Sequence, residues 1–396
     1  MASSSESARE SELEALNALV DTSIQLVKQL QTVITQITTN KVKKQEAESS
    51  SQTTSGATNP ETGSSAKPVD ALALASDSVS LIRAYSTQIS LFIINEPFTP
   101  SVISRNLREL IASPIPGLAS AVELCAGTRY TNVIRHDLAL RCNQVFLQLR
   151  GLLERIPRDG KILQAEKKNG GNGDKGSVAA TGVLWAACDE VTRFAKLGVD
   201  GHLAQKVEQY KETLDDVLEE LKEWGEETDE DDDDEVFDDG DDVDDLAGDM
   251  ASSHLSAQAM LDDLMSSHRH IPSDDPDKIR DRLDSCLKRL RLTTLLYQAI
   301  IKRRLKTLPA LPAGPDSNVP SRLNEIMPIL RKMTERFGDL AAAFYDLSPG
   351  QIDNHMDQCF FDAFAASELL AKPWDGQKDG FTDWVLKFQG EIKKSN

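Results

Sequence analysis

The sequence predicts an all-α fold in which two antiparallel helical bundles are joined by an acidic linker. Three observations support this prediction. Apolar residues recur every three or four positions along most of the chain, as on one face of an amphipathic helix. No comparable stretch alternates with the period of two that a half-buried strand shows. Residues 226–249, here called the acidic run, hold 16 Asp or Glu among 24 residues and no Lys or Arg.

The first predicted element is an amphipathic helix over residues 13–37, with Ser11 and Glu14 as its start signal. The other helical windows, in chain order, are residues 72–93, 134–156, 184–194, 203–224, 279–308, 323–344 and 352–370. Windows of this length, separated by short connections, are typical of bundles and are too interrupted for one long coiled coil.

Local signals refine three of these helices. Asp275-Pro276 supplies a cap and a first-turn proline before the helix at 279, and Ser348-Pro349 does so before the helix at 352. Gln351 completes a predicted capping box with Ser348. Pro328 lies inside the pattern at 323–344, where it removes a hydrogen bond. We therefore expect that helix to start near Met327, or residues 322–327 to form a separate turn.

The predicted domains follow from composition. The chain divides into an N-terminal helix (1–40), a Ser/Thr/Gly-rich linker (41–68), a first bundle (69–224), an acidic linker without fixed structure (225–252) and a second bundle (253–392). The N-terminal helix must bury its apolar stripe, and the first bundle is the nearest surface for it.

Composition also limits the function. The chain has 44 basic and 64 acidic residues, a net charge of −20, and most of the imbalance lies in the acidic run. A generally basic nucleic-acid binder is therefore disfavoured. The sequence shows no apolar stretch of 18 residues and no signal peptide, so we expect no membrane span and no secretion. The five cysteines form no CxxC pair, which indicates a reducing, intracellular compartment.

No residue pattern predicts a metal or catalytic site. The residue three positions before each of the six histidines is neither Asp nor Glu, so the di-iron motif of helical bundles is missing. His254, His268 and His270 are better explained as exposed loop residues than as metal ligands. His355 and Cys359 share a helix face, but nothing adds an orienting group, and a small core residue explains Cys359 better.

Two loop-like motifs resemble ligand-binding sequences, but the residues around or within them do not fit such sites. Gly171, Gly173 and Gly176 match the dinucleotide fingerprint, yet no strand precedes them. The acidic run fails as a calcium loop because Phe237 stands at a ligand position. We therefore predict a non-enzymatic protein with no cofactor, no metal and no small-molecule substrate.

The remaining charged segments are predicted to be surfaces that bind protein partners. The acidic run is a solvated spacer, a ligand for a basic partner, or a regulated element. Its predicted partner-binding residues are Asp231, Asp232, Asp233, Asp234, Glu235 and Phe237. Thr228, with Asp231 three residues on, has the pattern that acid-directed kinases favour and is a predicted phosphorylation site.

The helix at 279–308 carries seven basic residues: Lys288, Arg289, Arg291, Lys302, Arg303, Arg304 and Lys306. They form the polar face of a bundle helix, or they receive the acidic run within the same molecule. The four residues Lys302, Arg303, Arg304 and Lys306 are also a predicted nuclear-import cluster. No aromatic or glycine-rich segment that could contact nucleic-acid bases accompanies these basic residues, so direct nucleic-acid binding is disfavoured.

The order of features resembles the cyclin-D-binding protein family, also called cyclin-D-interacting or Maid-homologue proteins. The resemblance rests on GVLWAACDEVTRF (182–194), the acidic run, LRLTTLLYQAIIKRRLK (290–306) and RFGDLAAAFYD (336–346), and it covers roughly residues 69–392. It implies helical bundles similar to those of vinculin, α-catenin and talin. It also implies helix–loop–helix character, here helices 275–308 and 321–346 with the loop 309–320.

The resemblance further implies a nuclear and cytoplasmic protein that binds a D-type cyclin, or another cell-cycle regulator, and restrains cell-cycle progression. Two rival functions fit the residues. A vinculin-like cytoskeletal adaptor would bind actin or a helical ligand through the same bundles. An acidic chaperone for histones would use the acidic run against a basic client.

Overall fold

A computed structural model describes residues 2–44, 69–163, 176–226, 270–314 and 316–393. Every regular element in these ranges is helical, and no β-strand occurs among them, so the predicted all-α class is confirmed. No described helix combines the length and the hydropathy that a membrane span needs.

Each predicted window lies largely within a helix, although the first helix extends well beyond its window at both ends. The helices are α1 (Ala2–Lys44), α2 (Ala71–Ile94), α3 (Pro100–Ala112), α4 (Pro114–Leu124), α5 (Asn132–Leu153), α6 (Ser177–Glu226, two helical parts joined by a kink at Gly198, whose φ is 73°), α7 (Ile279–Ile300, continued by a π-helical turn at Ile301–Leu305), α8 (Val319–Tyr345), α9 (Pro349–Ala371) and α10 (Gly380–Ile392). The helices α3, α4 and α10, each of only 11 to 13 residues, were not predicted, although α10 buries Phe381, Val385, Phe388 and Ile392 at helical spacing.

The first compact unit comprises residues 1–202 and 310–324. Here α1 packs on α5 and α3, while α2 packs on α4 and α3. Leu16, Val20 and Val27 of α1 are fully buried. The N-terminal helix is therefore part of this unit, as its apolar stripe requires. The segment 310–324 joins through Ala313 N–H, which donates to Arg129 O at 2.8 Å.

The second compact unit comprises residues 203–309 and 325–396. Its helix α7 packs on α9 and α10, and the Tyr297 hydroxyl donates to the Leu330 carbonyl of α8 at 2.7 Å. Trp224, near the end of α6, packs against the rings of Phe344 and Tyr345 at centroid distances of 6.2 and 5.5 Å. The end of α6 thus contributes to the core of this unit.

This division differs from the domains predicted by composition. The predicted first bundle ended at residue 224, whereas the two units meet between residues 202 and 203, inside α6. The apolar residues Leu214, Leu221 and Trp224, which precede the acidic run, are buried and belong to the second unit. The linker residues 45–68 and the residues 227–269 lie outside the described ranges.

The start signals are only partly confirmed. The helix α1 begins at Ala2, so Ser11 and Glu14 lie in its interior. Ser348 is the N-cap of α9, but its side chain makes no capping bond, so the predicted capping box with Gln351 does not form. Asp275 caps α7 from four residues upstream, because its carboxylate accepts from Ile279 N and Arg280 N at 2.7 and 2.9 Å.

The prediction for Pro328 was wrong. The helix α8 runs through it from Val319 to Tyr345, with neither a start at Met327 nor a separate turn. An interior proline costs about 3 kcal/mol or more. The neighbours Leu323, Ile326 and Leu330 are almost completely buried, and each contributes about 1.5 to 3 kcal/mol by burial. Packing of one continuous apolar face therefore outweighs the lost hydrogen bond.

Candidate partner-binding surface

Most residues of the predicted acidic site lie outside the described ranges. These are Thr228, Asp231, Asp232, Asp233, Asp234, Glu235 and Phe237, together with His254, His268, Gly171 and Gly173. Their predicted roles stay predictions.

The predicted nuclear-import cluster is divided by burial. Lys302, Arg303 and Lys306 are exposed, whereas Arg304 is only 1 % exposed. The π-helical turn, closed by a bond from Lys306 N to Ile301 O at 3.0 Å, accompanies this inward position. An import receptor would therefore meet three basic side chains here, and Arg304 is a structural residue.

The Arg304 guanidinium makes several contacts in the C-terminal part of the second unit. Its Nε donates to Leu370 O at 2.7 Å, and Nη2 donates to Ala371 O at 3.0 Å. Both Nη groups bind the Asp379 carboxylate, at 2.8 and 3.1 Å, and the guanidinium carbon lies 4.3 Å from the Phe381 ring centroid. One side chain thus holds the end of α9 against the start of α10.

The helix–loop–helix element is not free to pair with another protein through its apolar faces. Tyr297 and Ile300 of α7 and Phe337 and Phe344 of α8 are completely buried within the second unit. Pairing through these faces would require that unit to open. The apolar repeats that suggested this element are buried inside the second unit, where they form part of its core.

The cysteines lie in the cores of the two units. All five are buried and free, and burial raises the pKa of the Cys125, Cys188 and Cys286 thiols to about 12. Burial also raises the pKa of Cys359, beside the half-buried His355. These thiols are therefore protonated at neutral pH. Among the described residues no group of His, Cys, Asp and Glu side chains could hold a metal ion.

The Trp185 segment forms a helix–helix contact within the first unit. Trp185 Nε1 donates to the Thr87 hydroxyl of α2 at 3.0 Å, and the Arg83 guanidinium lies 5.3 Å from its ring centroid. Arg83 also pairs with Asp189, one turn after Trp185. This sequence signature therefore positions α6 on α2.

The exposed apolar surface of α5 is a stronger candidate for a protein-binding site than the helix–loop–helix element, whose apolar faces are buried. Leu140 and Leu147 are 49 % and 41 % exposed, and the half-buried Val133 precedes Leu140 by seven residues. Residues seven apart lie two turns apart on one side of a helix. The three side chains therefore form a stripe, here called the α5 stripe, on the side away from the buried Leu138 and Leu149.

A buried cluster fixes the orientation of α5. His202 Nε2 of α6 lies 2.7 Å from Asp137 Oδ2, and the His202 ring packs edge-on against Phe194 at 4.6 Å. The Arg141 guanidinium lies 4.6 Å from the Phe194 centroid. These contacts hold α5 against α6 through Asp137 and Arg141, which lie beside Leu140 on the flank of the stripe, so the stripe is displayed on a helix of fixed orientation.

Sequence reasoning missed the α5 stripe because the window at 134–156 is apolar around most of the helix. Periodicity alone did not show which leucines face solvent. The seven-residue spacing of Val133, Leu140 and Leu147 was the available signal.

Comparison with known proteins bears on the first unit above all. Residues 75–227 match the family model described as Grap2 and cyclin-D-interacting, N-terminal, and this range runs from α2 through α6 and contains the α5 stripe. No curated protein matches the chain. The predicted resemblance to the cyclin-D-interacting family is therefore confirmed for residues 75–227, which match the N-terminal domain of that family.

Proposed function

We propose that this protein binds a D-type cyclin through the α5 stripe and thereby restrains cell-cycle progression. The observation that carries the proposal is the family match over residues 75–227, because this range contains the stripe. The proposed action is non-enzymatic binding in the nucleus and the cytoplasm. The exposed Lys302, Arg303 and Lys306 support nuclear import.

The chemistry of the stripe fits an amphipathic helix on the partner. Apolar residues at seven-residue spacing present the seam that a second helix packs against. Leu140 and Leu147 each leave almost half of the side chain in water, and full burial of a leucine contributes about 1.5 to 3 kcal/mol. The exposed Gln144 and Glu154 on the same side supply a polar rim.

We expect the double substitution Leu140→Asp and Leu147→Asp to weaken cyclin binding at least about 30-fold, the equivalent of 2 kcal/mol. The assay is affinity purification of D-type cyclins from cells with the full chain. The matched control is Leu386→Asp on α10, because Leu386 is 65 % exposed and lies outside the matched residues. Circular dichroism should show the same helicity for all three proteins.

Two outcomes would contradict the proposal. Equal cyclin retention by the double variant would place the binding face elsewhere. Recovery of actin-associated proteins or histones, without a cyclin, would instead favour the adaptor or the chaperone function.

A further inference from the structure

The N-terminal helix α1 packs on helices of the family domain without being part of that domain. It contacts α5 and α3, both of which lie inside the matched residues, whereas the match begins only at residue 75, within α2. Residues 45–68, which connect α1 to α2, lie outside the described ranges. The surface that receives α1, here called the α3–α5 groove, therefore belongs to the family domain, while the helix that fills it does not.

The helices α2 to α6 also pack on one another without α1. The helix α2 packs on α4 and α3, and the Thr181 hydroxyl of α6 donates to Ser90 Oγ of α2 at 2.8 Å. His202 of α6 lies 2.7 Å from Asp137 of α5. Because none of these contacts involves α1, we expect the groove to keep its fold when α1 leaves it.

The helix α1 enters the groove through one aliphatic stripe. Leu16, Val20, Val27 and Ile34 are at most 1 % exposed, and they follow one another at spacings of four and seven residues. Residues at these spacings lie on one side of a helix. The opposite side of α1 is polar and exposed. The groove therefore binds an amphipathic helix through aliphatic side chains.

The α5 side of the groove is apolar, with one polar atom that lacks a partner. Arg150 of α5 donates to Gln31 of α1 at 3.1 Å, and the completely buried Phe146 and Leu153 lie within one turn of Arg150 on the same side of α5. Asn143, two turns before Arg150, has a buried Oδ1 that accepts no hydrogen bond from any described residue. Departure of α1 would uncover an apolar face that another helix could cover.

The polar contacts that hold α1 add little to its attachment. Arg158 pairs with Asp21 at 2.7 Å, but these side chains are 41 % and 69 % exposed, and exposed ion pairs contribute little to stability. Asn17 Nδ2 donates to the Arg158 carbonyl at 3.2 Å, whereas its buried Oδ1 has no donor among the described residues, which is unfavourable. The attachment of α1 therefore depends on its aliphatic stripe, and a second helix with the same pattern can replace it.

We propose that α1 is an exchangeable ligand of its own chain, and that the α3–α5 groove binds an amphipathic helix of a partner protein in its place. The partner helix carries aliphatic residues at the spacing of Leu16, Val20, Val27 and Ile34. A helix tethered to its own groove has an effective concentration of the order of mM, so α1 excludes weak helical ligands. This groove lies on the side of α5 that α1 covers, apart from the α5 stripe, and the proposal does not depend on cyclin binding.

The test uses a fluorescent peptide of residues 9–38 and measures its binding to the full chain by fluorescence anisotropy. The double substitution Val20→Asp and Val27→Asp removes α1 from the groove of its own chain, and we expect the parental peptide to bind this variant at least tenfold more tightly than it binds the parent chain. The matched control is Thr22→Asp with Gln29→Asp. It places two carboxylates seven residues apart on the exposed side of α1, and it should bind the peptide as the parent chain does.

Hydrogen exchange shows whether the variant keeps its fold. In the chain with Val20→Asp and Val27→Asp, we expect α1 to lose its protection while α2, α4 and α6 keep theirs. Loss of protection in all four helices would make α1 an integral part of the core and would overturn the proposal. A folded variant that binds the peptide no better than the parent chain would overturn it as well.

Discussion

Replacing Arg304 with Ala is expected to lower the free energy of unfolding of the second unit by about 2 to 4 kcal/mol, because a buried carbonyl that loses its donor costs about 1 to 3 kcal/mol and the packing of a large buried side chain is lost as well. The substitution removes the Arg304 donors of Leu370 O, Ala371 O and the Asp379 carboxylate, of which the last two keep only their bonds from Thr382, and it opens a cavity beside Phe381. Chemical denaturation followed by circular dichroism measures the loss.

The control for this prediction is the neighbouring residue. Arg303 is exposed, and Arg303→Ala should change stability by no more than about 0.5 kcal/mol. Equal, small effects of the two substitutions would contradict the structural role assigned to Arg304.

The same contact predicts an acid dependence. The Arg304 guanidinium, which donates hydrogen bonds to the carboxylate, holds the pKa of Asp379 well below its ordinary value of 3.8. A depressed pKa in the folded state stabilises the fold above the ordinary value, and the contribution is lost as pH falls below it. Between pH 4 and pH 2, the stability of the parent chain should therefore fall more steeply than that of Asp379→Asn.

Trp224→Ala is expected to destabilise the second unit by about 3 to 5 kcal/mol, because Trp224 is 4 % exposed and packs on Phe344 and Tyr345. Hydrogen exchange should show lost protection in α7, α8 and α9, while α2 and α5 keep theirs. A matched substitution in the first unit, Trp185→Ala, should have the reverse pattern, with α2 affected first.

This pair of variants tests the division of the chain. If Trp224→Ala exposed the amides of α2 and α5 instead, the end of α6 would belong to the first bundle, as composition suggested. The division inside α6 would then be wrong.

Much of the helical fold could be predicted because the apolar repeats are local. The windows at 203–224 and 323–344 each bury one continuous face, and the helices span them completely. The short helices α3 and α4 were not predicted, because 11 to 13 residues offer only a few apolar positions from which to recognise a period. The assignment of Trp224 to the second unit could not be predicted either, since it depends on contacts with residues of α8 that lie more than 100 positions away in the sequence.

The candidate surfaces were less predictable, because exposure depends on tertiary packing. Arg304 and Lys302 are two residues apart in one basic stretch, yet only Arg304 is buried, against the end of α9 and the start of α10. Leu140 and Leu138 are equally apolar, yet Leu140 faces solvent. Composition and periodicity predict a helical chain, and only the packing shows which side chains remain exposed.

The most direct test of the proposed function is isothermal titration calorimetry, in which the purified full chain is titrated with a purified D-type cyclin. We expect saturable binding with a negative heat-capacity change, the mark of apolar burial, and we expect Leu140→Asp with Leu147→Asp to abolish it while Leu386→Asp does not. No heat of binding at cyclin concentrations up to about 100 μM, from a chain with intact helicity, would contradict the proposal that this protein binds a cyclin directly.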